Sequence, residues 1–308
     1  MAGIRRLQSG IALLFFLFLI VGIGASLFLS AANASRQRLD QDAKTQIALR
    51  QAKDAIIAWS ATHQSSPGTL PCPEDPELIG GPNEGRALSS CSNKKILVGR
   101  IPWRPLQLDN PTDASGSVLW YVLSPGFRRV APPGSMGIAP GQLQLDGASN
   151  EIAALIIAPG PPLPGQTRTV PSADLPPALD GYLDMDNADG GAFVSAGPRH
   201  AFNDQVIAID TQDLFQAVTP RVLAEIRGAF ALNGLRRYHY QYDTFPPNGF
   251  DLSDLDFDGD TRKWLAPKSN PNLWFASVSY NNFSPDSASL SLGARTLNVV
   301  PCTILPCS

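Results

Sequence analysis

The sequence predicts an α+β protein: one long N-terminal helix, then two modules in which a helix lies against a small antiparallel sheet. Three observations lead to this fold class. A long uncharged apolar run without proline lies near the N-terminus, and two stretches have helical spacing of apolar residues. Short segments that alternate apolar and polar residues follow each stretch, as half-buried strands do. Proline and glycine together supply 54 of 308 residues, which favours a loop-rich fold over a helical bundle.

An uncharged apolar run extends from Ile11 to Ala32, shortly behind Arg5 and Arg6. At a rise of about 1.5 Å per residue, a helix over this run spans roughly 33 Å, which is enough to cross the hydrocarbon core of a bilayer. Positive charge before an apolar helix keeps that end in the cytoplasm. We therefore expect a single-pass inner-membrane protein with a cytoplasmic N-terminus and the rest of the chain in the periplasm.

The segment behind the apolar run favours continuation of the same helix. The first proline is Pro67, and no glycine occurs between Gly24 and Gly68. Charged residues such as Lys53 are expected to face solvent. Apolar residues within 35–62 recur at spacings of three and four and form one stripe: Ala48, Ala52, Ala55, Ile56 and Trp59. One helix is thus expected to leave the membrane and enter the first module without a break.

This N-terminal arrangement resembles a type IV prepilin or pseudopilin, in which a short basic leader ends in glycine and precedes a hydrophobic anchor and assembly helix. The resemblance implies a leader over residues 1–10, a transmembrane helix over 11–34 and cleavage by a prepilin peptidase after Gly10. The mature chain would then begin at Ile11, which the family methylates. Two alternatives stay open: an uncleaved anchor that never polymerises, and a secretory signal that is cleaved near Ala34.

One position departs from the pattern of the family. Most pilins have a glutamate at the fifth mature position, and here that residue is Phe15. A carboxylate in lipid is costly unless it is paired, so a subunit with no neighbour above it is better without one. The tip pseudopilin of type II secretion also lacks this glutamate. The resemblance therefore implies a minor, tip-type subunit of a type IV pilus or type II secretion filament, with other pilin subunits as partners.

Two further function classes compete with the filament subunit. The first is a membrane-anchored periplasmic binding protein unrelated to filaments, and the second is a hydrolase tethered by its helix. No H-E-x-x-H, G-x-S-x-G or Walker motif occurs, and the histidines are His63, His200 and His239. We therefore predict that the protein is not an enzyme. Without Arg5 and Arg6 the chain has 22 basic and 27 acidic residues, a net charge of −5, which argues against nucleic-acid binding.

Four cysteines in an exported segment predict disulfides. Three pairings are open, and proximity favours Cys72 with Cys91 and Cys302 with Cys307. The second pair would close a short loop near the end of the chain, where pilins also often have a disulfide. Neither pair has the C-x2-C spacing of a zinc site.

The same order of features occurs twice along the chain: a helix, a proline-rich loop, a Trp-x-Pro or Trp-x-x-Pro segment, a Leu-Trp-aromatic strand and two short strands. We interpret this order as an internal duplication of one unit built like a pilin head; chance similarity of two loop-rich halves is the alternative. The tryptophans at matching positions are expected in the core: Trp103, Trp120, Trp264 and Trp274.

The second helix is expected over Thr211–Tyr238, with Asp213 as its cap. Because proline is tolerated only near the first turns, Pro220 allows a later start at Thr219. A Leu-Trp-aromatic strand is expected at 273–277. The predicted organisation is a first module over 35–160, a Pro/Gly-rich linker with an acidic loop over 161–205, and a second module over 206–308.

The clearest local signal for a ligand is an acidic loop that contains Asp254, Asp256, Asp258 and Asp260 around Gly259. Carboxylates at alternate positions can hold Ca²⁺, and the first positions match an EF-hand loop. Leu265 stands where the bidentate glutamate belongs, so a complete EF-hand is excluded. A calcium loop and a solvated acidic turn both remain open. A weaker acidic cluster precedes Gly190: Asp184, Asp186 and Asp189.

Overall fold

The computed structural model describes residues 4–91, 97–127, 143–169, 178–198, 201–228, 233–265 and 274–301. An N-terminal apolar helix and antiparallel sheets make up these parts, which confirms the predicted α+β class. The chain divides into two units, Met1–Ile47 and Ala48–Ser308.

The elements have the following bounds. The helices are α1 (Ile4–Thr62), α2 (Asp186–Asp189), α3 (Thr211–Arg227), α4 (Gly234–Tyr242), α5 (Gly259–Leu265) and α6 (Trp274–Ser277). The strands are β1 (Leu97–Arg100), β2 (Trp120–Leu123), β3 (Leu143–Leu145), β4 (Ala148–Ala158), β5 (Gln205–Asp210), β6 (Ser279–Ser284), β7 (Ser287–Leu292) and β8 (Arg295–Val299).

Helix α1 has 59 residues, which corresponds to a length of about 88 Å. Its continuity past the apolar run agrees with the absence of proline before Pro67 and of glycine between Gly24 and Gly68. In the second unit, Leu49, Ala52 and Ile56 on α1 are fully buried, while Trp59 is partly buried. The predicted apolar stripe is therefore the face by which α1 packs.

The first sheet has the order β1-β2-β4-β3, and β5 also pairs with β4, over Ile152–Ala158. All these pairs are antiparallel. Strand β2 is buried on both faces, because Tyr121 and Leu123 pack with α1 while Trp120 and Val122 pack with Leu183 and other residues of the 179–193 segment. The sheet is thus the middle layer of three.

Strand β5 joins the first sheet, so the predicted boundary between residues 205 and 206 falls inside a strand of that sheet. Ile209 of β5 is fully buried in the core that α1 forms with the sheet. Local sequence could not assign this strand, because its pairing partner β4 lies about fifty residues earlier.

The second sheet has the order β6-β7-β8 and is antiparallel. It shares a core with α3, in which Val218, Val222 and Ile226 of the helix meet Leu290 and Leu292 of β7. A helix against an antiparallel sheet therefore occurs in both halves of the described chain. The finer claim of two duplicated modules stays a prediction.

The single helix predicted over 211–238 was wrong, because the chain forms α3 and α4 with a break after Arg227. Gly228 and Gly234 flank the break with φ angles of 80° and 66°, which glycine adopts without strain. The predicted cap and late start were also wrong. Asp210 is the N-cap residue, its carboxylate accepts the Asp213 N–H at 2.7 Å, and α3 runs through Pro220.

The helix tolerates Pro220 because Val218 and Val222, on either side of it, are buried in the core that α3 forms with the second sheet, called the second core below. Their burial offsets the hydrogen bond that proline removes.

The Leu-Trp-aromatic strand predicted at 273–277 was wrong, since Trp274–Ser277 form the short helix α6. The Trp274 ring lies against Phe215 with centroids 5.8 Å apart, and its Nε1 donates to the Pro67 carbonyl at 3.4 Å. The Trp274 side chain therefore fills the second core from a helical turn, as it could have done from a strand. Trp120, Trp264 and Trp274 are buried as predicted, whereas Trp103 is half-buried.

Candidate functional site

The apolar part of α1 presents a continuous exposed apolar surface. Its large apolar side chains between residues 14 and 29 are each 53–75% exposed: Leu14, Phe15, Phe16, Leu17, Phe18, Leu19, Ile20, Val21, Ile23, Leu27, Phe28 and Leu29. The helix is long and apolar enough to cross a membrane by its length and composition. Surface of this extent is normally covered by lipid or protein.

The serine hydroxyls within the apolar run are paired inside the helix. Ser26 Oγ donates to the Gly22 carbonyl and Ser30 Oγ to the Leu27 carbonyl, each at 2.8 Å. Since polar groups in lipid must be satisfied within the protein, these hydrogen bonds make the segment compatible with an apolar surrounding.

Of the residues predicted to act in processing and assembly, Gly10 and Ile11 lie within α1, and the structure does not describe their side chains. Phe15 is 74% exposed. Helical spacing places Ile11 and Phe15 one turn apart along the same helix. Their roles in processing and assembly stay predictions.

The second feature of interest is a cleft beside a disulfide. Cys72 and Cys91 are bonded, as predicted, while Cys302 and Cys307 lie outside the described residues. The cleft has a volume of about 520 Å³. Its walls include Trp59, Pro71, Cys72, Arg86, Arg104 and Pro105.

The loop around Gly85 positions the Arg104 side chain of this cleft. Arg104 Nε donates to the Glu84 carbonyl at 2.5 Å, and one of its terminal nitrogens donates to the Pro82 carbonyl at 2.7 Å. The guanidinium also lies over the Trp103 ring, 4.9 Å from its centroid. Arg104 is thus held in one orientation at the edge of the cleft.

A buried ion-pair network lies next to the same loop. Arg100 Nε lies 3.1 Å from Glu74 Oε2, and Arg100 Nη2 lies 2.8 Å from Glu84 Oε1. The Glu74 carboxylate also accepts the Gly85 N–H at 2.5 Å. Desolvation raises the pKa of Glu74 to about 7, although Arg100 acts in the opposite direction. This network anchors the loop from Glu74 to Gly85 on strand β1, which ends with Arg100.

Asp184 and Asp204 form a second group of buried carboxylates. The Asp184 N–H donates to Asp204 Oδ2 at 3.0 Å, and the Asp204 N–H donates to Asp184 Oδ2 at 3.1 Å. Asn187 and Gln166 donate to the two carboxylates at 2.9 and 2.8 Å. Desolvation raises the pKa of Asp204 to about 7. The pair fastens the loop before α2 to the segment that enters β5.

The predicted calcium loop does not gather its carboxylates into a cluster within the described residues. Asp254 ends a short 3-10 turn, Asp256 is exposed, and the Asp258 carboxylate accepts the Thr261 N–H at 2.7 Å as a cap of α5. The side chain of Asp260 is not described. In the described part of the chain, no group of three or more His, Cys, Asp or Glu could hold a metal ion. Calcium binding stays a prediction.

The weaker acidic cluster is separated as well, because Asp184 is in the buried pair whereas Asp186 and Asp189 lie on α2.

Two of the histidines have described neighbours. The His63 ring lies 4.5 Å from that of Trp59, and His239 Nε2 lies 3.1 Å from Asp286. His200 is outside the described residues. The prediction that the protein is not an enzyme remains untested.

Sequence reasoning missed the cleft with Arg86 and Arg104 and the pair of Asp184 with Asp204. Their members are separated by 18 and 20 positions and follow no periodic pattern, so only the folded loops bring them together.

No family model, curated protein or solved structure matches the chain.

Proposed function

We propose that this protein is a minor pilin- or pseudopilin-like subunit of a type IV pilus or type II secretion filament. The observation that carries the proposal is the exposed apolar surface of α1 between Leu14 and Leu29. In the assembled state this surface packs against the helices of other subunits, and before assembly it lies in the inner membrane. The N-terminus is cytoplasmic and the remainder is periplasmic or displayed on the filament.

The layout of the remainder supports the same proposal. Helix α1 continues from the apolar segment into the second unit, where Leu49, Ala52 and Ile56 pack against the first sheet. The same helix therefore supplies both the apolar segment and part of the core of the second unit. The second sheet with α3 forms the second of two pilin-like modules.

The subunit acts at the tip, where it initiates assembly or presents a binding head. Phe15 supplies no carboxylate to pair with the N-terminal amine of a neighbouring subunit. At a position with no neighbour above, an apolar side chain avoids leaving a charge unpaired in an apolar surrounding.

Substitution of the leader glycine tests the proposal. In a host with an active prepilin peptidase, we expect the wild-type protein to begin at Ile11, with a methylated amine. Gly10→Ala should leave a longer, more slowly migrating precursor. The matched control is Gly22→Ala in the same helix, where an added Cβ meets no atom within 4 Å; this variant should be trimmed normally.

The measurements are gel migration and N-terminal sequencing of the membrane-extracted protein. Wild-type protein that begins at Met1 or Ser35, or a Gly10→Ala variant that migrates like the wild type, contradicts the proposal.

The alternative is a single-pass, inner-membrane-anchored periplasmic binding protein unrelated to filaments. The observation that favours it is the cleft beside Cys72, which has the size of a small-molecule site. This alternative predicts an untrimmed N-terminus and no association with pilin subunits, so the experiment above separates the two.

A further inference from the structure

We propose that the cleft beside the Cys72–Cys91 disulfide binds a small organic carboxylate attached to an aromatic or similarly flat apolar group. In this arrangement the carboxylate meets Arg86 and Arg104, and the apolar group lies against Trp59 and the neighbouring prolines. The inference concerns residues of the second unit alone. It holds whether or not α1 packs in a filament.

The size and walls of the cleft indicate a small molecule. Its volume of about 520 Å³ lies within the range of about 300–1,000 Å³ that is typical of ligand pockets. The indole of Trp59, the rings of Pro71 and Pro105 and the disulfide at Cys72 form an apolar lining. Proline rings and a disulfide lose little freedom when a ligand binds, so the walls are preorganised.

The charge of the cleft is positive and uncompensated. No carboxylate of a described residue lies within ion-pair distance of Arg86 or Arg104. The neighbouring acids Glu74 and Glu84 are instead engaged by Arg100. Apart from the paired Arg100, residues 85–108 of the sequence include four basic residues and no acidic one, although the chain as a whole has a net charge of −3. An anion is therefore the complementary ligand.

The geometry of Arg104 favours a carboxylate. Two backbone carbonyls and the Trp103 ring hold its guanidinium, and the donors of the second terminal nitrogen have no partner among the described residues. Arg86 is exposed and its side chain has no hydrogen-bond partner in the same part of the chain. A planar guanidinium binds a planar carboxylate through paired hydrogen bonds. Because the other lining residues except Ser89 are apolar, a bare anion would leave most of the cleft unfilled.

The test uses the full chain in nanodiscs and 3-phenylpropionate as the probe. Ligand-observed NMR titration gives the Kd, and empty nanodiscs give the background. We expect saturable binding by the wild type and at least about tenfold weaker binding of the neutral 3-phenylpropionamide, because a charged hydrogen bond contributes more than 1.4 kcal/mol. Acetate and inorganic phosphate at the same concentration should not displace the probe.

Two variants locate the site, and a third is the control. Arg86→Gln should weaken binding about tenfold or more without changing the melting temperature, since the side chain is exposed. Trp59→Leu should weaken binding of the probe by removing the aromatic wall. The matched control Arg295→Gln removes an exposed arginine on β8 and should bind like the wild type.

Two results overturn the inference. One is a Kd for Arg86→Gln equal to that of the wild type, with Trp59→Leu also unchanged. The other is displacement of the probe by phosphate or acetate at equal concentration, which would indicate a site for simple anions without an apolar requirement.

Discussion

Lys53 Nζ lies 2.5 Å from Asp213 Oδ2 and also donates to the Ala208 carbonyl at 2.9 Å. Lys53 is on α1, Ala208 on β5 and Asp213 in the first turn of α3, so one ammonium group joins three elements. The side chains of Lys53 and Asp213 are only 23% and 34% exposed. Lys53 was expected to face solvent. It instead ties the helix of the first core to the start of the helix of the second core.

Lys53→Met should therefore lower the free energy of unfolding by about 1–2 kcal/mol. The substitution leaves the half-buried Asp213 carboxylate and the Ala208 carbonyl without the ammonium group that pairs with them. The measurement is thermal or denaturant unfolding of the detergent-solubilised chain. Lys44→Met is the matched control, since Lys44 is an exposed lysine on the same helix. An equal effect of both substitutions would show that the contact with Asp213 contributes nothing.

Stability should fall as the pH rises through neutrality. Burial raises the pKa values of Glu74 and Asp204 from 4.5 and 3.8 to about 7 each. Between pH 4 and pH 7 the folded chain therefore binds more protons than the unfolded chain, so the free energy of unfolding decreases with pH. The stabilisation is complete below pH 4 and is lost as the pH rises through 7. We expect a melting temperature several degrees higher at pH 5 than at pH 8.

Asp204→Asn identifies one source of this pH dependence. The Asp184 backbone N–H and the Asn187 side-chain amide both donate to Asp204 Oδ2. An asparagine at position 204 keeps one oxygen that can accept these hydrogen bonds, but it has no carboxyl group that titrates. The variant should flatten the dependence of melting temperature on pH between 5 and 8. Asp256→Asn, at an exposed position, is the control. An unchanged slope in Asp204→Asn would contradict the assignment.

Gly85→Ala should be strongly destabilising, by roughly 3 kcal/mol or more. A Cβ at this position would overlap the Trp103 indole, and the backbone has a φ of 87°. Gly116→Ala separates the two causes, because Gly116 has a φ of 84° but no atom within 4 Å of the added Cβ. Backbone strain alone predicts a cost of about 1 kcal/mol there. Thermal unfolding of both variants is the measurement, and equal costs would refute the steric contribution of Trp103.

Removal of the disulfide should cost about 2–4 kcal/mol, since the bond closes a loop with a sequence separation of 19. The variant is the double substitution Cys72→Ser with Cys91→Ser, compared with wild type in oxidising and reducing buffer. We expect the reduced wild type and the oxidised double variant to melt at similar temperatures. If reductant lowers the melting temperature of the double variant as much as that of the wild type, the stabilisation comes from elsewhere in the chain.

Several local features could be predicted because their causes lie close together in sequence. The stripe from Ala48 to Trp59 specifies the buried face of α1 through helical spacing alone. The alternation of serine with apolar residues in β7 likewise follows from residues a few positions apart. Trp274 was assigned wrongly because a buried tryptophan fits a core from either a strand or a helical turn. Pro220 was assigned wrongly because burial on both sides of it outweighed its local preference.

Sequence patterns were enough to predict the long apolar helix and the α+β class, and proximity along the chain favoured Cys72–Cys91 among three open pairings. All of these depend on short-range composition and spacing. The tertiary structure alone decided that β5 completes the first sheet, that Lys53 reaches Asp213, and that Arg86 and Arg104 line one cleft. Each of these relationships joins segments far apart along the chain. Their formation depends on the summed burial and hydrogen bonding of the whole fold, which no local pattern encodes.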